Sequence, residues 1–303
     1  MDGFLNINKP IGITSAEVVR VIKRELKSKK IGYIGTLDPI AEGVLVVALG
    51  RATRLIPFLE RQDKEYDTTL TLGAETDTQD RTGAVVNQAD ASAVTVEDFT
   101  RTAENYIGQI EQMPPMYSAK KVDGQRLYDL ARQGLEVERK PVKTTIYSLR
   151  FIEKNGPEIR FSARVATGTY LRTLCHDIGR ALGVYGHLSK LTRTRSGIFT
   201  VESAIPLDSI TRANFDEVKT RLISLSDGLG HLARAVILPH SAERLKNGIA
   251  LGVSDVVRFD QGEDNTHARL VNKDGWLYGV GTLEGPPLAG FPFSSIKPKR
   301  VLN

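Results

Sequence analysis

The stretch GYIGTLDPIAEGVLVVALG, residues 32–50, joins a glycine-bracketed turn to a nearly continuous apolar run. The run from Gly43 to Gly50 carries no charge and is closed by glycines at both ends, which suits a buried strand. Ahead of it Asp38 precedes Pro39, and a proline ring pushes the residue before it out of the α region toward extended geometry. Glycines at 32, 35 and 43 tolerate backbone angles that other residues resist. One carboxylate is therefore fixed near the middle of a shaped loop, beside a buried strand. Asp-Pro is also ordinary turn punctuation, so the rest of the chain must decide what Asp38 is for.

Upstream, FLNINKP (4–10) reads as a strand stopped by Pro10. TSAEVVRVIKREL (14–26) follows as a helix, because Thr14 and Glu17 have capping-box spacing and Val18, Ile22 and Leu26 share one apolar stripe. Downstream, ATRLIPFLE (52–60) predicts a short helical segment. KEYDTTLTLG (64–73) alternates, with Tyr66, Thr68, Leu70 and Leu72 on one face. ETDTQDRTG (75–83) is a polar loop, and TVEDFTRTAENYIGQI (95–110) reads as one helix. A proline-interrupted segment then leads into a short helix ending at Gly134. VKTTIYSLRFIEK (142–154) and EIRFSARVATG (158–168) form a hairpin around Asn155-Gly156-Pro157. TYLRTLCHDIGRALG (169–183) is a helix with Leu171, Leu174, Ile178 and Leu182 inward; a shorter basic segment and the strand GIFTVES (197–203) follow. The character changes near residues 228–240, after which short strands dominate: DVVRFD, HARLVNK and WLYGVGTL. The pattern predicts a large α+β domain, residues 1–230, and a small β-rich one, residues 231–303.

Composition bounds the function. Hydrophobic residues make up 41% and charged residues 25% of 303, ordinary for a globular protein. No apolar run is long enough to span a membrane, and the N-terminus lacks a signal pattern, so a cytoplasmic protein is expected. A single cysteine, Cys175, excludes an internal disulfide framework, and the five histidines show no metal-ligand spacing. The net charge of +5 is clustered. One cluster is RVIKRELKSKK (20–30), a second KLTRTR (190–195), a third KPKR (297–300). Such clusters point to a polyanion partner, nucleic acid above all. No nucleotide-binding glycine motif and no G-x-S-x-G elbow is present. Asp77 and Asp80 could supply a second acid or a calcium site, but the remaining EF-hand ligands are missing and the loop reads as solvated.

Five blocks then occur in order: NKPIGITS (8–15), GYIGTLDPIAEGVLVVALGRATR (32–54), KEYDTTLTLGAETDTQDRTG (64–83), MPPMYSAKKVDGQRLYDLAR (113–132) and TGTYLRTLCHDIG (167–179). Together they resemble the bacterial tRNA pseudouridine synthase B family, over residues 4 to about 210, with a looser likeness of the C-terminal segment to that family's PUA domain. The resemblance implies a pseudouridine synthase fold, with a central mixed and mostly antiparallel sheet crossed by a cleft. It implies isomerisation of the T-loop uridine, position 55 by tRNA convention, with no cofactor. It implies Asp38 as the catalytic aspartate, Tyr66 as the ring that stacks on the base, and Arg172 as the partner of the aspartate. Tyr170 and Leu191 would line the base pocket, Tyr33 would stand next to the flipped base, and Lys9 and Pro10 would support the catalytic loop. The family commonly has histidine at the position of Tyr33, a smaller polar residue at Ile34 and lysine at Arg54. The implied partner is tRNA, held by its T arm and acceptor stem, with no membrane and no protein partner; a monomer is expected. The basic clusters would grip the RNA, and the loop with Lys120, Lys121 and Arg126 would close over it. A non-catalytic RNA-binding protein on the same scaffold, and a synthase for another RNA, are the alternatives.

Overall fold

The computed structural model describes residues 1–303 except 119, 120, 123, 127–129, 131, 132, 134, 136 and 303. The chain begins with β1 (Gly3–Lys9), helix α1 (Ser15–Glu25), β2 (Ile31–Ile34), β3 (Glu42–Leu49) and β4 (Lys64–Leu72). Among the described residues ten strands form one mixed sheet. Its order is Ile205–Pro206, β1, β3, Gly186–Ser196, β4, Glu158–Val165, Val142–Asn155 and Gly108–Gln112, with β2 paired to β3 and Phe199–Thr200 to Gly186–Ser196. The Ile205–Pro206 strand runs parallel to β1, and Gly186–Ser196 runs parallel to β3; the other pairs are antiparallel. This is the expected mixed, mostly antiparallel sheet.

Local chemistry explains the elements that matter. Thr14 and Glu17 close the capping box at the start of α1, and Val18 and Ile22 bury completely under it. Fully burying side chains of this size contributes about 1.5–3 kcal/mol each. β3 is buried along nearly its whole length, as its unbroken apolar run demands. Its second residue is Gly43, whose φ of +98° is left-handed and whose missing Cβ leaves room for the Arg193 carbonyl of the neighbouring strand.

Two segments differ from expectation. The helix of 95–110 stops early, at Val96–Glu104, and Gly108–Gln112 is the last strand of the sheet. Gly108 has a φ of +105°, which breaks the helix, and the short alternation that follows pairs with Val142–Asn155. KLTRTR belongs to the eleven-residue strand Gly186–Ser196 in mid-sheet, and Arg193 is 1% exposed. It is no open basic patch: Lys190 pairs with Glu158, and Arg195 with Glu65. Gly134 and Lys120 lie outside the described residues, as do the side chains of Lys121 and Arg126.

From Leu232 onward a second sheet takes over, in the order Leu251–Gly252, Ser295–Val301, Leu277–Glu284, Asp264–Val271, Leu232–Ile237 and Val256–Asp260. One cluster of buried residues is common to both sheets: Phe4, Val44 and Val46 from the first pack with Leu232, Val271, Val280 and Leu302. Among the described residues no helix is long and apolar enough to cross a membrane.

Candidate active site

Asp38 lies in the loop between β2 and β3, and the loop is held from below. The Ser15 hydroxyl donates to the Leu37 carbonyl at 3.0 Å, and the Leu37 amide donates back at 2.9 Å. The Gly12 amide donates to the Pro39 carbonyl at 2.8 Å. Lys9 is fully buried beneath this turn, and its ammonium donates to the carbonyls of Pro10 and Ile13, both at 2.8 Å. Burial pushes the Lys9 pKa down to about 8, against an opposing pull from Asp38.

The helix Leu171–Ala181 supplies the counter-charge. Arg172 Nε lies 2.9 Å from Asp38 Oδ2, with the arginine side chain 6% and the aspartate 34% exposed. The other guanidinium nitrogens donate to the Tyr117 carbonyl at 2.7 Å and the Thr78 carbonyl at 3.4 Å, and Nη1 is 3.6 Å from Asp80 Oδ2. A planar fork bound at each nitrogen has little freedom to turn. Asp80 is 4% exposed and is held by the Thr78 hydroxyl and the Thr82 amide, so the reading of a solvated loop is corrected: the polar residues around it serve to bury a carboxylate. Burial raises the pKa of the Asp38 carboxyl above the usual carboxylate range. Arg172 opposes that rise and Asp80 adds to it.

Above this pair opens a cleft of about 270 Å³. Asp38, Tyr66, Tyr170, Leu191 and Arg172 all line it. Tyr66 reaches it from β4 and is 8% exposed. Leu191 reaches it from the neighbouring strand, where it stands opposite Thr68. Tyr170 stands at the start of the arginine's helix, and burial raises its phenol pKa. Lys9, Pro10 and Tyr33 are not among the cleft's lining. For Lys9 and Pro10 the location fits support of the loop rather than contact with a base. Tyr33 stands on β2 opposite Val47 of β3. Side chains alternate along β2, so Ile34 enters the core shared with the second sheet while Tyr33 packs on the opposite face, toward α1.

Lys64 and Arg193 also line the cleft; the sequence reading has Arg193 only as part of a basic cluster gripping RNA and gives Lys64 no role. Arg193 donates to the carbonyls of Val44 at 2.7 Å and Gly35 at 2.9 Å. The Lys64 ammonium donates to those of Glu60 at 2.8 Å and Gln62 at 2.6 Å, and burial beside Arg193 pushes its pKa to about 8. The signal was present: Lys64 is two residues from Tyr66 and Arg193 two from Leu191, and a period of two puts each on its neighbour's face.

A carboxylate is locked to a guanidinium at the floor of an aromatic-walled cleft, and solved structures share the fold that carries it. A structure described as a Cbf5-Nop10-Gar1 complex superposes with a TM-score of 0.79 at 27% identity, covering 99% of this chain and 84% of that one. A second, an H/ACA RNP bound to a substrate RNA containing 2'-deoxyuridine, superposes with a TM-score of 0.77 at 25% identity, covering 99% and 85%. The model of the TruB family pseudouridylate synthase N-terminal domain matches residues 23–171. That of the tRNA pseudouridylate synthase B C-terminal domain matches residues 172–242. The tRNA pseudouridine synthase B of Clostridium tetani is 40% identical over 286 residues, 94% of this chain and 97% of that protein. That of Geotalea uraniireducens is 44% identical over 256 residues, 84% and 83%. The chain belongs to the TruB family of pseudouridylate synthases.

Proposed function

We propose that this protein converts the T-loop uridine of tRNA, position 55, to pseudouridine, with Asp38 as the essential carboxylate. In the net reaction the C1′–N1 bond breaks, a C1′–C5 bond forms, the C5 proton leaves and N1 gains one. No electrons are exchanged, so the balance calls for no redox partner. The uridine sits in a folded loop and has to be everted to reach the cleft, at a cost of a few kcal/mol. Tyr66 offers the face on which it stacks, worth about 1–3 kcal/mol per base, and is placed to act in the final proton removal. Tyr170 and Leu191 hold the detached uracil while it turns. Arg172 keeps the carboxylate aimed and favours its charged form. The carboxylate then adds to the base, adds to the sugar or removes a sugar proton; all three begin from the same placement.

Recognition rests on charge and shape. Arg20, Lys23, Arg24, Lys27, Lys29 and Lys30 are all exposed along and after α1 and would contact phosphates without reading sequence. We assign residues 231–303 as the PUA-like RNA-binding module that takes the acceptor stem. Tyr33, outside the cleft's lining, would meet the RNA next to the everted base.

The observation that carries this reading is the 2.9 Å contact of Arg172 with Asp38 at the floor of the cleft lined by Tyr66. The test is tritium release from tRNA carrying C5-labelled uridine. Wild type should release label from the T loop, and Asp38→Asn should slow release by about 1000-fold or more while still binding tRNA. Binding without release from any RNA would leave only a binding protein. Release from other RNAs that spares the T loop would overturn the substrate alone.

A further inference from the structure

Gln112 ends the outermost strand of the large sheet and is 1% exposed, so both ends of its carboxamide need partners inside the protein. It spends both on the backbone of a single residue. Nε2 donates to the Tyr170 carbonyl at 3.2 Å, and the Tyr170 amide donates to Oε1 at 3.0 Å. Tyr170 is the N-cap of the helix that carries Arg172. Its own side chain makes no capping bond, and the first turn holds no acidic residue. The start of that helix is therefore fixed by a side chain from another part of the sheet. The chain just beyond Gln112 is tied to the same turn: the Thr173 hydroxyl donates to the Met113 carbonyl at 3.4 Å, and Arg172 donates to the Tyr117 carbonyl.

We propose that Gln112 is a positioning residue for the pseudouridylation centre: by bonding the backbone of Tyr170 on both sides of its Cα it sets one wall of the base pocket and the aim of Arg172 at Asp38. The Tyr170 carbonyl also accepts the first helical bond, from the Leu174 amide at 3.0 Å, but the Tyr170 amide lies ahead of the helix; Gln112 ties the two flanking peptides to each other and to the sheet. Tyr170 and Arg172 face the same cleft, so a swivel there would disturb the pocket wall and the ion pair in one motion. A displacement of about 1 Å at such a site is enough to cost about 100-fold in rate. The inference rests on the function proposed above and adds a role that touches neither substrate nor reacting atoms.

The test uses Gln112→Met, which keeps the length and removes both bonds, and Gln112→Glu, which keeps the acceptor and loses the donor until it is protonated. Single-turnover tritium release, tRNA affinity, thermal melting and the pH profile are measured beside wild type and Asp38→Asn. Gln112→Met should slow release by about 10- to 100-fold with tRNA affinity within about twofold. The acidic limb of its profile should move to higher pH, because a guanidinium less well aimed stabilises the carboxylate less. The deficit of Gln112→Glu relative to wild type should shrink as acid restores its donor. If wild type is active and Asp38→Asn silent, yet Gln112→Met runs at the wild-type rate, this inference alone falls. A profile lowered uniformly without movement, or a rate loss matched by lost affinity, overturns it as well. Should Gln112→Met not fold, Gln112→Glu carries the test; failure of both to fold marks a purely structural residue and overturns it too. If wild type releases no label, this inference and the function beneath it fall together.

Discussion

The two sheets bury charge in opposite ways. In the region of the second sheet, from Leu232 onward, Asp255 is the one buried carboxylate among the described residues, and it is answered by its neighbours: Ser241 at 2.6 Å, both Arg244 contacts at 2.8 Å and the Gly252 amide at 2.8 Å. Those contacts hold the Asp255 carboxyl below the usual carboxylate range in spite of its burial. Beneath the cleft Lys9, Lys64, Arg172, Arg193 and Asp80 are all buried together, and Asp38 sits on them with its pKa raised. Burying charge is costly unless partners compensate. One region uses its buried charge to close a turn; the other accepts unfavourable burial to keep a reactive group aimed at an open space.

Arg172→Lys strikes hardest at this contrast. Lysine keeps the charge but has no fork to span Asp38, Thr78 and Tyr117, so release should slow by about 100-fold with tRNA affinity retained. A rate within a few fold of wild type would show that charge alone suffices. On the other side of the contrast, Asp255→Ala should cost about 2 kcal/mol in stability, read by denaturant unfolding, and leave the rate of the folded enzyme unchanged. A loss of rate without loss of stability would mean that the second sheet takes part in the chemistry. The smallest expected effect lies in pH. The Asp38 pKa is raised in the folded protein, so the ionised form is lost as pH falls through a value above the ordinary aspartate range near 3.9, and the acidic limb of the rate should sit there. The sign for stability is the reverse. Below the unfolded-state value the neutral carboxyl favours folding, and that contribution is lost as pH rises through the raised value. Asp38→Asn should therefore melt no lower than wild type at neutral pH, while losing its activity.

Much of this was legible in the residues. Capping-box spacing placed α1, the alternation around Tyr66 placed β4, and Asn-Gly-Pro placed the hairpin, because each depends on local geometry. Asp38, Tyr66, Tyr170 and Arg172 stand in the ordered blocks that resemble a known family, Leu191 in the likeness just beyond them, and all five line one cleft. What stayed hidden depends on contacts distant in sequence. KLTRTR looks like a basic surface until it is known to lie between β3 and β4, where Arg193 finds the carbonyls of Val44 and Gly35. Asp80 looks solvated until the helix of Arg172 comes down beside it. Gln112 has no signature at all, since its partner lies 58 residues away.

Phe4, on β1, sits in the same apolar cluster as Leu232, Val280 and Leu302, and Arg51 lies over the Trp276 ring at 5.3 Å. A shortened chain that ended before this seam would not yield a minimal catalyst. It would bare a greasy scar on the back of the first strand, three residues from the start of the protein, and such a fragment should clump where the whole molecule stays dispersed.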